Sequence, residues 1–251
     1  MATKRITFPG HDGTPLAARL DLPDGPHLAT ALFAHCFTCG KDIAAARRIA
    51  ARLAGMGIAV LRFDFTGLGH SEGEFANTSF TSNVEDLIAA CAFLDQTGMA
   101  PSLLIGHSLG GAAVLSAASR MPGIKAVASL AAPFDPSHVI HNFADALPQI
   151  RAKGQAEVCL AGRPFTISKG FVEDIEQTAL TQSIAAMDAA LLVMHAPLDD
   201  VVGIENASQI FGAAKHPKSF VTLDKADHLI SRAEDADYAA EVIATWARRY
   251  I

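Results

Sequence analysis

Leu104-Ile105-Gly106-His107-Ser108-Leu109-Gly110-Gly111 sets a serine between two glycines, in the pattern Gly-x-Ser-x-Gly, after an apolar stretch and before a run of small residues. That order predicts a strand, a sharp turn and a helix, with Ser108 raised at the turn as a nucleophile. The backbone of such a turn is strained and crowded, so the positions two residues before and two after the serine must lack side chains. Gly106 and Gly110 meet that demand.

Working outward from this turn, apolar runs alternate with longer helical patterns, the mark of βαβ units and a mostly parallel sheet. Eight strands are expected, at residues 6–8, 16–22, 30–35, 59–65, 102–107, 126–130, 190–195 and 219–223, the first two joined as a hairpin through Asp12-Gly13. Helices are expected over 43–56, 83–96, from the serine turn to about 120, over 204–214 and over 236–249. Residues 133–187 break this rhythm with a helix over 139–152, a hairpin over 157–168 turning at Gly162, and a helix over 172–180. The segment follows the sixth strand, at the sheet edge where open α/β folds bind ligands. It is therefore expected to be a lid over a core made of residues 1–132 and 188–251.

Half of the 251 residues are apolar, enough to bury a substantial core in one α/β domain with an insertion. Twenty basic and 26 acidic residues give a net charge of −6 without long runs of either sign, so neither nucleic acid nor a membrane surface is an expected partner. The first ten residues lack the apolar core of a signal peptide, and no stretch approaches the ~18 apolar residues of a membrane span. A cytoplasmic location and a small-molecule substrate are the expectation. Four cysteines are too few for a disulfide scaffold; Cys36, Cys91 and Cys159 lie in apolar sequence and read as small core residues of a reducing compartment. No spacing of His, Cys, Asp or Glu matches a zinc site, and no metal or cofactor is expected.

A serine hydroxyl needs a base to take its proton, and the base needs an acid to hold its tautomer. With the nucleophile first, the order on this kind of sheet is serine, acid, histidine. The acid is expected in Ala196-Pro197-Leu198-Asp199-Asp200, after the seventh strand, with Asp199 preferred over Asp200. The base is expected in Asp224-Lys225-Ala226-Asp227-His228, after the last strand, which selects His228. Among the other histidines, His35, His107 and His195 read as turn-shaping, and His138 and His141 belong to the insertion. Two backbone N–H groups must receive the oxyanion, and Leu109, at a helix N-terminus, and Phe37, after the third strand, are the expected donors. His107, Phe143, Phe165 and Phe171 are candidate substrate contacts, the alternative for the phenylalanines being the core of the insertion.

Gly106-His107-Ser108-Leu109-Gly110-Gly111, Asp64-Phe65-Thr66-Gly67-Leu68-Gly69-His70-Ser71, the loop from His195 to Asp199 and Ala226-Asp227-His228 together resemble the α/β-hydrolase superfamily over nearly the whole chain. More narrowly, His35-Cys36-Phe37-Thr38-Cys39, residues 62–69 and residues 195–204 are similar to the hydrolase half of bacterial proteins that fuse an α/β-hydrolase to an OsmC-like domain. The resemblance implies a triad of Ser108, Asp199 and His228 with carboxylesterase-type activity on small to medium acyl or aryl esters. Feruloyl or cinnamoyl esters, thioesters and peptides are the alternatives within the same chemistry. Cys36 stands where many relatives have glycine, which implies a differently shaped oxyanion loop. The chain ends at Tyr250-Ile251 without an OsmC-like segment, so a standalone enzyme and an excised domain are both expected forms, and a homodimer or an associated OsmC-like partner is compatible with either.

Two readings from other classes compete. Cys36-x-x-Cys39 follows a strand and precedes a helix, as in a redox motif, and oxidation of Cys36 beside Phe37 could switch an esterase off. A non-catalytic binding protein on the same scaffold is the other, and an intact triad argues against it.

Overall fold

The computed structural model describes residues 2–251. Among these residues, ten strands and eight α-helices make an α/β-hydrolase fold. The main sheet has eight strands: β1 (Ala2–Pro9), β2 (Pro15–Leu22), β3 (Ala29–Ala34), β4 (Ile58–Phe63), β5 (Leu103–His107), β6 (Ala126–Leu130), β9 (Ala190–His195) and β10 (Lys218–Thr222), in the order β1-β2-β4-β3-β5-β6-β9-β10. β1 and β2 form the expected antiparallel hairpin, β2 pairs antiparallel with β4, and every other neighbour is parallel. The central strands β3, β4, β5, β6 and β9 are buried along their whole length, so they read as unbroken apolar runs rather than as alternation.

Helices cover both faces. α1 (Ala44–Gly55) and α8 (Ala233–Ala247) pack on one through Ile49, Leu53, Ile243 and a series of alanines. α2 (Phe80–Gln96), α3 (Leu109–Ala117) and α7 (Glu205–Ala213) pack on the other. α2 starts three residues before the expected position because Ser79 and Ser82 cap it reciprocally, each hydroxyl accepting the other's N–H at 3.0 and 2.8 Å. α8 likewise begins at Ala233 rather than 236.

The elements between β6 and β9 differ in order from those expected there. A 3₁₀ segment, Pro136–Ala146, is broken at Phe143 (φ −141°, ψ 29°) and gives way to α4 (Leu147–Lys153), where one continuous helix over 139–152 was expected. Pro136 and Pro148, each within the first two positions of its segment, favour two starts over one run. The hairpin β7 (Gln155–Leu160) and β8 (Arg163–Ser168) turns at Ala161-Gly162, where Gly162 has φ 74°. α5 (Lys169–Gln177) starts at a cap in which the Ser168 hydroxyl accepts the Phe171 N–H. α6 (Leu180–Ala186) has no counterpart in the sequence reading; it packs on α3, burying Leu180 and Ile184. Among the described residues no helix is long and apolar enough to cross a membrane.

The serine turn is tight enough to be tested by one carbon. A Cβ on Gly110 would sit 2.4 Å from the carbonyl oxygens of Ala34 and His35, and one on Gly106 would sit 2.3 Å from the Gly110 carbonyl. Backbone atoms of a buried strand cannot move aside as a side chain would. Gly110→Ala is therefore expected to destabilise the fold by about 3 kcal/mol or more, a fall of roughly 6–12 °C in melting temperature for a chain of this size. A thermal melt of parent and variant checks this; an unchanged Tm would refute the close approach.

Candidate active site

Ser108 is the residue between β5 and α3, with φ 54° and ψ −124°, a conformation that non-glycine residues rarely hold. Its N–H donates to the Leu130 carbonyl at 2.9 Å, and its carbonyl accepts the N–H groups of Gly111 and Ala112. The turn thus ties β5 to β6 and starts the helix.

Ser108 Oγ lies 2.9 Å from His228 Nε2, and His228 Nδ1 lies 2.8 Å from Asp199 Oδ2. A carboxylate only accepts, so Nδ1 carries the imidazole proton and Nε2 is left to accept from the serine. All three side chains are buried, between 7% and 8% exposed by residue. Asp199 Oδ1 accepts the N–H groups of Val201 and Val202 at 2.9 and 2.8 Å. Burial alone would raise the Asp199 pKa; the hydrogen bonds from His228, Val202 and Val201 outweigh it and hold the carboxyl below its ordinary value. Asp200, the rival acid, is exposed.

The neighbouring histidines are buried around the triad and do not line the cavity. His35 Nδ1–H donates to the Cys36 carbonyl at 2.8 Å, and His195 Nε2–H donates to the Val202 carbonyl at 2.7 Å, each bracing a loop that carries part of the site. His107 is not a substrate contact. Its side chain is 1% exposed and points away from the cavity, and its Nε2–H donates 2.7 Å to the carbonyl of His228. The strand alternation that turns Ser108 outward turns its neighbour inward.

Phe37 and Leu109 are the expected oxyanion donors. Leu109 opens α3, where its N–H has no partner within the helix. Phe37 follows β3, and its loop turns sharply at Thr38, φ 55°. Cys36, expected as a small core residue of a reducing compartment, is joined to Cys39 in a disulfide that closes this four-residue loop around Phe37. Cys159, also expected inside, is exposed, on β7 of the insertion's two-stranded hairpin.

A cavity of about 710 Å³ opens over Ser108 and His228. Its walls include Cys36, Phe37, Ile43, Val201 and Leu229 from the core, and Val139, Leu160 and Arg163 from the insertion. Phe143, Phe165 and Phe171, expected as candidate contacts, do not line it. Phe171 stacks on the Phe37 ring at 5.6 Å, Phe143 lies 6.4 Å from the same ring, and Phe165 meets Phe75 edge-on at 5.3 Å. The rings are spent on joining insertion to core. Sequence reasoning missed a charged group beneath the cavity, in which buried Asp64 accepts Lys41 Nζ at 2.5 Å, the Lys41 N–H at 2.6 Å and the His70 N–H at 2.9 Å. Gly69 was the available signal, since a Cβ there would meet the Asp64 carboxylate at 2.3 Å.

Residues 29–156 match the family described as Hydrolase_4, serine aminopeptidase S33. The chain belongs to this family. The esterase domain of a Rhodothermus marinus protein is 49% identical over all of this chain and 99% of that one, with a TM-score of 0.80. Est1E from Butyrivibrio proteoclasticus, solved with ferulic acid bound, shares the fold at 20% identity and a TM-score of 0.80, over 98% of this chain and 99% of that one. Among curated proteins, the mitochondrial palmitoyl-protein thioesterase ABHD10 of Mus musculus is 27% identical over 72% of this chain and 62% of its own length. The chain thus spans less than two thirds of that relative.

Burial pushes the pKa of His107 down to about 4, with His228 adding to the effect, and burial also lowers that of His35. A histidine held neutral in the fold but free to protonate when unfolded stabilises fully above its ordinary value of 6.5 and progressively less below it. Stability is expected to fall as the pH drops from 6.5 towards 4, His107 alone accounting for about 2 kcal/mol at pH 5. Urea unfolding of the parent and His107→Gln at pH 7 and pH 5 reads this: the variant should lose less between the two pH values, and equal losses would contradict the assignment.

Proposed function

We propose that this chain is a carboxylic-ester hydrolase that works through an acyl-enzyme on Ser108. The observation that carries the reading is the unbroken relay from Ser108 Oγ through His228 to Asp199, at 2.9 and 2.8 Å, on the floor of the cavity. His228 takes the serine proton through Nε2 as Oγ attacks the ester carbonyl, and Asp199 stabilises the imidazolium that results. The Phe37 and Leu109 N–H groups receive the oxyanion. His228 then gives the proton to the departing alcohol, and water drawn through the same base releases the acid.

A volume of about 710 Å³ suits a small to medium acyl or aryl ester. Residues 133–187 act as its lid, supplying Val139, Asn142, Leu160 and Arg163 to the wall. The similarity to an esterase domain over the full chain favours an oxygen ester over the thioester named for ABHD10. Ser108→Ala is expected to lower kcat on 4-nitrophenyl esters by on the order of 10³-fold or more, and Asp199→Asn by up to ~10⁴-fold through the wrong imidazole tautomer. Turnover close to the parent's in Ser108→Ala would defeat the mechanism.

One observation favours a second, redox-responsive reading: the Cys36–Cys39 bond encloses Phe37, the proposed oxyanion donor. In this form the oxidised loop is the ordered one, so reduction rather than oxidation slows the enzyme. Dithiothreitol should lower kcat of the parent several-fold and leave the Cys36→Ser, Cys39→Ser double variant unmoved; a parent indifferent to the reductant would remove this reading.

A further inference from the structure

Charge around the cavity is balanced with one exception. Beneath it, Lys41, Arg62 and Arg19 face Asp64, Asp42 and Asp21 in a connected set: Lys41–Asp64 2.5 Å, Lys41–Asp42 3.6 Å, Arg62–Asp21 2.8 Å, Arg62–Asp42 3.1 Å and Arg19–Asp42 3.9 Å. Three cations meet three carboxylates, so Lys41, Asp42 and Asp64, which reach the cavity wall, belong to a set with no surplus charge. Arg163 also lines the cavity, and among the described residues no carboxylate lies within ion-pair distance of it.

The guanidinium is nevertheless held. Arg163 starts β8 at the tip of the insertion's hairpin, its Nη2–H donates to the Thr38 carbonyl, and its Cζ lies 5.3 Å above the Phe165 ring. One of the five N–H donors is therefore spent on Thr38, and the remaining four have no protein acceptor among the described residues. A fixed, planar cation with free donors, facing an otherwise compensated cavity, is an anion-recognising group. A carboxylate fits it better than a phosphate dianion, whose second charge would find no second free cation.

Resting on the ester-hydrolase reading, we propose that Arg163 is a specificity-determining residue and that the preferred substrates are esters carrying a carboxylate remote from the scissile carbonyl. Its Thr38 contact limits the separation. Thr38 is the residue after Phe37, whose N–H faces the scissile carbonyl oxygen, so anion and ester lie within one to two Cα spacings of 3.8 Å, on the order of 4–8 Å. Monoesters of dicarboxylic acids of about five or six carbons span that distance.

The test compares 4-nitrophenyl hydrogen adipate with neutral 4-nitrophenyl hexanoate. In the parent, the adipate-to-hexanoate ratio of kcat/KM should exceed that of Arg163→Gln by about tenfold, and the excess should shrink in 0.5 M salt because the guanidinium is solvent-exposed. Rates on both esters that fall together, with the ratio unchanged within twofold, would overturn the proposal and leave Arg163 as a positioning residue for the Thr38 loop. Binding of monomethyl adipate to Ser108→Ala, by calorimetry, reads the same subsite without turnover: adding Arg163→Gln should weaken it about tenfold, and equal affinities would overturn the proposal. A parent that binds this monoanion through Arg163 yet hydrolyses none of the esters would sink the ester reading and leave the anion subsite standing.

Discussion

Ser108 faces a cavity because its backbone turns through φ 54° with glycine two residues before and two after it, where a side chain would clash. The conformation is unfavourable in isolation and persists because its surroundings over-determine it. The Ser108 N–H is bound to β6, its carbonyl starts α3, and Gly110 brings α3 down on the Ala34 and His35 carbonyls at the end of β3. The same approach that strains the serine fixes the distance between the nucleophile and the loop that begins at Cys36. Ser108 and the loop after β3 are therefore positioned by one contact.

The loop after β3 is where core and insertion meet. From the core it is held by the His35–Cys36 hydrogen bond and by the Cys36–Cys39 bond. From the insertion it is held by Arg163 on the Thr38 carbonyl and by the Phe171 and Phe143 rings against Phe37. An apolar ring is an inexpensive anchor because two torsions fix it and its face supplies most of the contact. Displacement of the hairpin would thus be felt at the Phe37 amide before it was felt at Ser108.

Much of the site was legible because it lies at strand ends. The strands are long apolar runs, so the loops after β5, β9 and β10 could be found by position, and only one serine, one preferred carboxylate and one histidine stood in them in workable order. Side-chain direction followed the same logic only in part. Alternation settles that His107 opposes Ser108, but nothing in the order of residues says that Phe165 turns towards Phe75 rather than into the cavity. The insertion was read least well, since its short helices lean on α2 and α3 for stability and carry little periodic signal of their own. The capping serines of α2 were likewise obscure, because serine at the third helical position is a weaker signature than glutamate.

The cysteines and the buried charges failed for a common reason: both depend on pairing, and composition does not reveal partners. Four cysteines in 251 residues argue correctly against a scaffold of disulfides, yet they leave open a single bond between positions three apart. Asp64 in an apolar strand end looks costly until Lys41 and the His70 N–H are seen around it, and together they hold its carboxyl below the ordinary value despite burial. Once those partners are known, the balance of the set singles out Arg163, a residue that in sequence was no more than a polar position beside a glycine turn. A cation without a carboxylate on a compensated wall is informative because the protein has satisfied every comparable charge nearby, and the group left over is the one available to substrate.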